Sequence, residues 1–398
     1  MKYKILTFLL NHSLSINRFI FNLFFAWLPV DENKIVVNNQ TGNSYGCNPK
    51  YIIEELIKQN CKFKIIWLAN PEVDKNDFDK NIKLVKFKSL RALYELATAK
   101  VWLDNNRKGY HLRKGLGKKE KQIYIQTWHG SLGIKRIDMD VKAFTCQKSW
   151  CSLVKYEGTL FDYLITNSEF ENKILPYAFD CEPSKIACCG HPRNDIFFYP
   201  KSRQEEIKDK IRNKYNIEKN DKILLYAPSF RDNLRLDCYN IELENIRKSL
   251  EEKTNENWKV LIRLHPRLSD CANRVFKFNN TLIDASTYCD IQEILLLSDI
   301  VISDYSSCMF DFMLTRRPCF IYAEDIERYN DERGFYYPLE ATPFPVATNN
   351  EELKRNILNF DNEKYVREVD KFLEEKGCID DGNASKKVVE IIKNKEGQ

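Results

Sequence analysis

The feature of this chain that most restricts its fold is a regular alternation of short apolar strands with amphipathic helical segments. In the first half, strands are predicted at residues 34–38, 64–68, 82–87, 100–103, 123–127, 163–166 and 185–189, with helices such as 49–59 and 89–98. In the second half, strands are predicted at 222–226, 259–264, 281–284, 299–303 and 318–322, with helices such as 203–215, 240–253, 291–297 and 306–314. Such alternation is typical of parallel sheets whose strands are joined by crossover helices.

The length of 398 residues suits two domains of ordinary size, and a hydrophobic content of 43% is ample for two cores. We therefore predict an α/β fold with two Rossmann-like domains facing each other across a cleft. The predicted segments are an amphipathic segment at 1–30, a first domain at 31–200, a second domain at 201–375, and a helical segment at 376–398 that packs back on the first domain.

A pair of serines follows one of the predicted strands, in the segment Ser303-Asp304-Tyr305-Ser306-Ser307. The segment opens a predicted helix, and the first turn of a helix offers unpaired N–H groups and a positive dipole end to an anion. Ser306 and Ser307 are placed where their hydroxyls could grip a phosphate. The alternative is that one serine only caps the helix.

Two histidines stand where predicted strands end. His129 follows the strand at 123–127, and His265 follows the strand at 259–264. In open α/β sheets the carboxyl ends of the strands form the ligand-binding edge. The chain has only five histidines, and a third, His191, precedes a proline. Three histidines in equivalent places favour a polar cleft over purely structural roles.

Seven short motifs occur in a fixed order along the chain. They are Trp128-His129-Gly130, Gly190-His191-Pro192-Arg193-Asn194-Asp195, Tyr226-Ala227-Pro228-Ser229-Phe230-Arg231-Asp232, Arg263-Leu264-His265-Pro266, Ser303-Asp304-Tyr305-Ser306-Ser307, Arg333-Gly334-Phe335-Tyr336 and Asp381-Gly382-Asn383-Ala384-Ser385. The set resembles the CDP-glycerol glycerophosphotransferase family, the polymerases and primases of teichoic acids and related polyol-phosphate polymers. The resemblance spans about residues 32 to 392. One difference is the segment from Ser131 to Lys135, where the family usually has Thr-Pro-Leu-Lys.

The resemblance implies a GT-B-type architecture, with an acceptor-binding first domain and a second domain that binds CDP-glycerol or CDP-ribitol. A hydroxyl of a lipid-linked saccharide or polymer acceptor would attack the β-phosphorus and release CMP, in the synthesis of teichoic acid or a capsule-type polymer. The resemblance also implies that Arg231, His265, Ser306 and Ser307 contact the diphosphate. From the chemistry of imidazole we expect His129 to act as general base and a protonated His265 to neutralise the leaving CMP. An imidazole suits proton removal near neutral pH, and a guanidinium can bind phosphate oxygens with two parallel hydrogen bonds.

Other residues have more open assignments. Asp304 would orient a neighbour or the ribose, or would simply form the turn. Arg193 and Ser229 are candidates for a donor contact or for the hinge. No cofactor is evident, and no cysteine and histidine spacing of the zinc kind is present. Two other functions stay open: a sialyltransferase-like enzyme that uses a CMP-sugar, and a non-catalytic membrane assembly factor.

Charge and composition limit the classes of partner that we expect. A net charge of +5 and the absence of a nucleic-acid-binding motif exclude nucleic acid as an expected partner. Thirteen scattered cysteines fit a reducing cytoplasm. Residues 1–30 are apolar and basic without an acidic side chain, but the longest apolar run is shorter than the roughly 20 residues that span a bilayer.

This composition predicts an interfacial helix, with packing on the first domain as the alternative. The segment 107–121 holds seven basic residues and one acidic residue, a net charge of +6, and three glycines, which predict a loop that touches anionic lipid or a polyanionic acceptor. The expected location is the cytoplasmic face of the membrane, as a peripheral protein.

Overall fold

The computed structural model describes residues 16–141, 147–231, 235–265, 268 and 271–394. The chain divides into two compact units. Unit 1 comprises Met1–His129, Ile137–Asp195 and Ile379–Gln398, and unit 2 comprises Gly130–Arg136 and Ile196–Cys378. Unit 2 therefore includes a seven-residue segment that lies, in sequence, within unit 1.

The sheet of unit 1 has seven parallel strands in the order β3-β2-β1-β4-β5-β6-β7. Its strands are β1 (Asp31–Asn38), β2 (Lys64–Ala69), β3 (Ile82–Lys86), β4 (Ala99–Asp104), β5 (Ile123–Gln126), β6 (Tyr163–Thr166) and β7 (Ile186–Cys188). The central strands are buried on both faces, as their continuous apolar runs require. Each predicted strand of the first half overlaps one of these.

Helices of unit 1 cover both faces of this sheet. Residues 16–21 are helical and continue into Asn22–Ala26; the others are Cys47–Lys58, Leu90–Thr98, Gly109–Arg113, Lys148–Leu160, Glu169–Phe179 and Ala384–Asn394. Ser89 and Ser168 begin two of them by accepting a backbone N–H, as preferred N-cap residues do. The Ala384–Asn394 helix packs against the Cys47–Lys58 helix.

The sheet of unit 2 has six parallel strands in the order β10-β9-β8-β11-β12-β13. Its strands are β8 (Lys222–Tyr226), β9 (Trp258–Ile262), β10 (Leu282–Asp284), β11 (Ile300–Ser303), β12 (Cys319–Tyr322) and β13 (Val346–Ala347). Its helices are Lys201–Tyr215, Leu243–Thr254, Ala272–Val275, Ile291–Leu297, Cys308–Phe312, Ile326–Arg333, Asn350–Leu358 and Asn362–Glu375. The predicted strands of the second half are all present, and β13 was not predicted.

Both sheets reverse their strand order at one point, and this point positions the polar residues. In unit 1 the reversal lies between β1 and β4, and in unit 2 between β8 and β11. In doubly wound sheets the crevice outside the carboxyl ends of these two strands is where ligands bind. The residues that follow β1, β4, β8 and β11 are therefore the first places to look for a site.

A carboxylate clasp joins the C-terminal segment to unit 1. Asp195 accepts the backbone N–H groups of Ala384 and Ser385, at 3.0 and 2.8 Å, and so caps the last helix. Asp380 accepts from the backbone N–H of His191 at 2.7 Å and from the Asn194 amide at 3.0 Å. The motif at residues 190–195 and the last motif, at residues 381–385, thus have a structural function in common.

The segment 107–121 differs from its prediction as an exposed basic loop. Residues Gly109–Arg113 form a helix. The first two cations of the segment, Arg107 and Lys108, are buried. Arg107 pairs with Asp138 at 2.7 Å, and Lys108 pairs with Asp104 at 2.8 Å. Buried charges need such partners, so these two cations are not available to lipid or to an acceptor.

Candidate active site

His129 lies just beyond the carboxyl end of β5, beside the point where the sheet of unit 1 reverses its order. Its Nδ1 is 2.7 Å from the backbone carbonyl oxygen of Asn105, which directly follows β4. Because a carbonyl oxygen only accepts hydrogen bonds, Nδ1 carries the proton in the neutral ring. The lone pair is then on Nε2, the state that a general base requires.

The turn before His129 is strained. Trp128 has a φ of 51°, in the left-handed region that non-glycine residues rarely occupy. Its backbone N–H donates to Oε1 of Gln126 at 2.9 Å, and its ring lies 3.9 Å from the His129 ring, centroid to centroid. Backbone strain of this kind persists only where surrounding contacts enforce it, and it concentrates at functional sites.

Arg193 also lies in unit 1, in the 3₁₀ segment Pro192–Phe198 that follows β7. Its side chain is 2% exposed, its backbone N–H donates to Oδ1 of Asn48 at 3.1 Å, and its Nη1 lies 3.8 Å from Sγ of Cys47. These contacts hold the loop after β7 against the start of the Cys47–Lys58 helix. The assignment of Arg193 to a donor contact or to the hinge stays a prediction.

In unit 2, Ser229 and Asp304 meet across the point of strand reversal. The backbone N–H of Ser229, after β8, donates to Oδ1 of Asp304, after β11, at 2.7 Å. Arg231 donates from Nη1 to Oδ2 of Asp304 at 2.8 Å and to the carbonyl oxygen of Ser229 at 2.9 Å. Two of the sequence motifs are thus joined at the position where the fold places ligands.

Arg231 has a second carboxylate partner that the sequence did not reveal. Its Nε and Nη2 donate to Asp325 at 2.8 and 2.9 Å, and its guanidinium lies 5.1 Å from the ring centres of both Tyr305 and Tyr329. The side chain is 2% exposed. Burial alone would lower the pKa of Arg231, but Asp304 and Asp325 raise it above its ordinary value. The guanidinium is therefore a permanently charged centre of this cluster.

The two serines precede a helix shorter than predicted. The α-helix is Cys308–Phe312, and a 3₁₀ turn follows it. Ser306 Oγ accepts from the backbone N–H of Cys308 at 3.4 Å, whereas Ser307, at the N-cap, makes no capping bond with its side chain in the described part of the chain. A five-residue helix has a weak dipole, so anion binding here depends on hydroxyls and nearby cations.

Lys135 is a cation of this cluster that sequence reasoning missed as a site residue. It belongs to the segment Gly130–Arg136, which is bonded to residues 334–336: Tyr336 N–H donates to the carbonyl oxygen of Ile134 at 2.7 Å, and Arg136 N–H donates to that of Gly334 at 3.0 Å. This pairing brings Nζ of Lys135 to 3.4 Å from Oγ of Ser229. A sequence signal for Lys135 was available, because the corresponding family segment, Thr-Pro-Leu-Lys, also ends in a lysine.

The electrostatic surroundings of Lys135 are unusual for a lysine. Its side chain is half-buried, and its ammonium donates a hydrogen bond to a hydroxyl, that of Ser229. Burial is the main cause that lowers the pKa of Lys135 to about 8, and the positive charge of Arg333 adds to this effect while Asp304 opposes it. A half-buried ammonium beside arginines is stabilised by an anion, and a diphosphate is such an anion.

His265 follows β9 in unit 2, with its ring 4.3 Å from that of Phe230. It is half-buried, and the Pro266 and Arg267 that follow it lie outside the described residues, as does Asp232. Within the described part of the chain, no group of three His, Cys, Asp or Glu side chains is arranged to hold a metal ion. The cluster in unit 2 thus offers cations, hydroxyls and an imidazole to a ligand.

The two doubly wound parallel domains, each with polar residues at its strand reversal, are of the GT-B type, and the predicted fold class is confirmed. Residues 20–394 match the family model described as CDP-Glycerol:Poly(glycerophosphate) glycerophosphotransferase, and the chain belongs to this family. The resemblance inferred from the ordered motifs and the predicted enzyme class are confirmed by this match.

Individual relatives agree with the family match. The chain is 33% identical over 377 residues to a teichoic acid poly(glycerol phosphate) polymerase of Bacillus spizizenii, covering 92% of this chain and 93% of the relative. It is 32% identical over 374 residues to one of Staphylococcus epidermidis, covering 91% of this chain but only 51% of that longer relative. A solved structure of the wall teichoic acid polymerase TagF, a histidine variant soaked with CDPG, superposes with a TM-score of 0.83 at 29% identity, covering 99% and 96% of the two chains.

Proposed function

We propose that this protein transfers glycerol phosphate from CDP-glycerol to a hydroxyl of a membrane-linked saccharide or polyol-phosphate acceptor, releasing CMP, in teichoic acid synthesis. The observation that carries the proposal is the gathering of Lys135, Ser229 and Asp304 at the strand reversal of unit 2. Here the Lys135 ammonium and the Ser229 hydroxyl lie together, and a diphosphate binds such donors through charge-assisted hydrogen bonds. The soaked TagF structure supports the choice of donor.

The donor occupies unit 2 in this proposal. Lys135, His265, Ser306 and Ser307 bind the diphosphate, and Lys135 supplies a positive charge beside the Ser229 hydroxyl. Arg231 has a different role from the direct phosphate contact that the motif implies. Because its guanidinium is engaged by two carboxylates and is 2% exposed, it fixes Asp304 and the backbone of Ser229 so that both face the donor.

The acceptor hydroxyl is activated in unit 1. Nε2 of His129 takes the hydroxyl proton while the acceptor oxygen attacks the β-phosphorus of the donor. A new P–O bond forms to the acceptor, and the bond between the β-phosphorus and the bridging oxygen breaks, so that the electron pair leaves with CMP. Protonated His265 offsets the charge that develops on CMP. Transfer of this kind depends mainly on positioning and charge stabilisation.

The test is CMP release by the purified protein from CDP-glycerol, CDP-ribitol and CMP-sialic acid, each with a lipid-linked acceptor. Release from CDP-glycerol that falls about 10²–10⁴-fold in His129→Gln, with unchanged donor binding, supports the assigned base. Release from CDP-ribitol alone changes the donated unit to ribitol phosphate. Release only from the CMP-sugar, or near-normal turnover in His129→Gln, contradicts the proposal.

We also propose peripheral attachment to the cytoplasmic face of the membrane through the N-terminal helix. Among the residues that the structure describes, no helix is long and apolar enough to cross a bilayer. The helical segment 16–26 instead exposes a row of large apolar side chains: Ile16, Phe19, Ile20, Leu23 and Phe24, with Trp27 just beyond it 72% exposed. Exposed apolar surface of this extent marks an interaction site.

A bilayer with anionic lipids is the partner that fits this surface. Phe21, on the opposite side of the helix, is buried in unit 1. One face of the helix therefore packs on unit 1, and the other is exposed. The Asn17 amide donates to the carbonyl oxygen of Arg113 at 2.9 Å, which places the exposed Arg113 and Lys114 next to the helix. Apolar side chains beside cations suit the headgroup region.

Sedimentation with vesicles tests the attachment. The wild-type protein is expected to bind vesicles with phosphatidylglycerol more strongly than vesicles of phosphatidylcholine alone. The double variant Phe24→Asp, Trp27→Asp is expected to lose this binding, whereas Tyr177→Asp, at a residue 75% exposed on another helix, is the matched control and is expected to keep it. Equal binding by the double variant would rule out this face of the helix as the contact.

A further inference from the structure

The turn that carries His129 is held by one buried side chain from a distant part of the sequence. Asn48, in the first turn of the Cys47–Lys58 helix, is fully buried. Its Nδ2 donates to the carbonyl oxygens of Thr127 and Trp128 at 3.0 and 3.1 Å, and its Oδ1 accepts from the backbone N–H of Arg193 at 3.1 Å. Both ends of the amide are therefore used.

The two carbonyl groups that Asn48 binds belong to the two peptide planes on either side of the Trp128 α-carbon. Those planes together define φ and ψ of Trp128, whose φ is 51°. The left-handed conformation costs a non-glycine residue about 1–2 kcal/mol, so the turn needs contacts that hold it. Two hydrogen bonds from one rigid, buried amide, with further support from Gln126, meet that need.

We propose that Asn48 is a positioning residue for the transfer reaction: it fixes the two peptide planes around Trp128 and so aims the imidazole of His129. Nδ1 of the imidazole then remains on the Asn105 carbonyl oxygen, and Nε2 faces the acceptor hydroxyl. The inference rests on the proposed role of His129 as the base. It assigns a catalytic consequence to a residue outside the seven motifs, 81 positions before His129.

The substitution Asn48→Asp separates this role from simple packing. The aspartate keeps the size of the side chain and an acceptor for Arg193 N–H, but it cannot donate to the two carbonyl groups. We expect kcat to fall about 10–100-fold, because misplacement of a reacting group by about 1 Å costs about 10²-fold. The Kd for CDP-glycerol is expected to stay unchanged, because the proposed donor site lies in unit 2.

Asn70→Asp is the matched control. Asn70 Nδ2 donates to the carbonyl oxygen of Thr41 at 3.1 Å, and Thr41 also has a positive φ, of 58°. Asn70 directly follows β2 in unit 1. The control thus removes an amide donor from a strained turn of the same unit, and it leaves the contacts of residues 127–129 unchanged. We expect its kcat to stay within about twofold of the wild-type value.

A direct readout is the tautomer of His129, observed in two-bond ¹H–¹⁵N spectra of protein with ¹⁵N-labelled histidine. Only five histidines contribute, and His129→Gln identifies the relevant signal. The wild-type ring is expected to be protonated at Nδ1, and Asn48→Asp is expected to give a mixture of tautomers. If Asn48→Asp fails to fold, Asn48→Ala, which adds no charge, is measured instead. We expect the same fall in kcat and the same mixture of His129 tautomers.

The outcomes separate this inference from the proposed function. Unchanged kcat in the Asn48 variants, or a fall in kcat with the His129 tautomer unmoved, would overturn the positioning role. Activity retained by His129→Gln would instead refute the assigned base, and the tautomer shift in Asn48→Asp would then still report that Asn48 orients this ring. The two failures are therefore distinguishable.

Discussion

The lowered pKa of Lys135 predicts that donor binding weakens as the pH rises above neutrality. The pKa of this side chain lies at about 8, chiefly because of burial and the nearby charge of Arg333. A diphosphate beside Nζ would stabilise the charged form and raise the pKa in the complex. The free protein therefore binds the donor at full strength only while Lys135 is protonated, below about pH 8, and loses that affinity above it.

The size of the effect follows from linkage. If the donor binds only the protonated form, the apparent Kd rises by the factor 1 + 10^(pH − pKa), which is about tenfold between pH 7 and pH 9 for a pKa of about 8. Lys135→Met removes a charged hydrogen bond, whose loss costs about 1.5–3 kcal/mol, and is expected to bind the donor about 10–100-fold more weakly than the wild type at pH 7. This difference shrinks toward pH 9, because the wild type loses the charge there and the variant has no charge to lose. Lys135→Arg stays charged throughout and is expected to show no pH dependence in this range.

Titration calorimetry with CDP-glycerol in the absence of acceptor, at pH 7, 8 and 9, measures these Kd values without turnover. The diphosphate diester itself does not titrate across this interval. A wild-type Kd that stays constant from pH 7 to 9 would refute the reasoning. So would a Lys135→Arg protein that loses affinity as steeply as the wild type, because another group would then be the one that titrates.

Three further predictions concern the framework around the site. Arg231→Met leaves the buried carboxylate of Asp304 without its cation, whereas Asp325 keeps Arg235; urea unfolding is expected to show a loss of about 3–5 kcal/mol. Arg316→Met, which breaks an exposed pair with Asp370, is the control and should cost under about 1 kcal/mol. Asp195→Ala removes the cap of the Ala384–Asn394 helix, costing about 1–2 kcal/mol, and should speed hydrogen exchange in that helix but not in unit 2. Ser307→Ala should weaken donor binding while changing unfolding free energy by less than about 0.5 kcal/mol, because the hydroxyl makes no capping bond; a larger loss would show a structural role.

Local sequence patterns were sufficient to predict most of the strands. Each predicted strand is a short run of apolar, largely β-branched or aromatic residues, and a parallel sheet buried on both faces selects such runs directly. The two-residue strand Val346–Ala347 carries no such pattern. The segment 107–121 was misread as a surface loop because its partners are distant: Arg107 is buried through Asp138, 31 positions away.

The motifs predicted three residues of the unit 2 cluster, but not how the cluster is connected. Ordered motifs brought out Ser229, Arg231 and Asp304, and these three meet in the fold. Asp325, the second partner of Arg231, lies 94 positions away in no motif, so the enclosure of the guanidinium could not be inferred. Lys135 reaches unit 2 only because its segment pairs with residues 334–336, a contact across about 200 positions that has no local signature.

The polar residues at the candidate sites of the two units differ in chemistry. In unit 1 the partners of residues 127–129 include the amide side chains of Asn48 and Gln126 and the backbone carbonyl group of Asn105. Amides orient the imidazole without placing a charge beside it, which suits a neutral base and a neutral hydroxyl acceptor. In unit 2 the Lys135 ammonium lies beside the Ser229 hydroxyl, whereas the Arg231 guanidinium is enclosed by Asp304 and Asp325. In the proposed function this difference separates two tasks: the amides of unit 1 orient the base, and Lys135 of unit 2 binds the diphosphate.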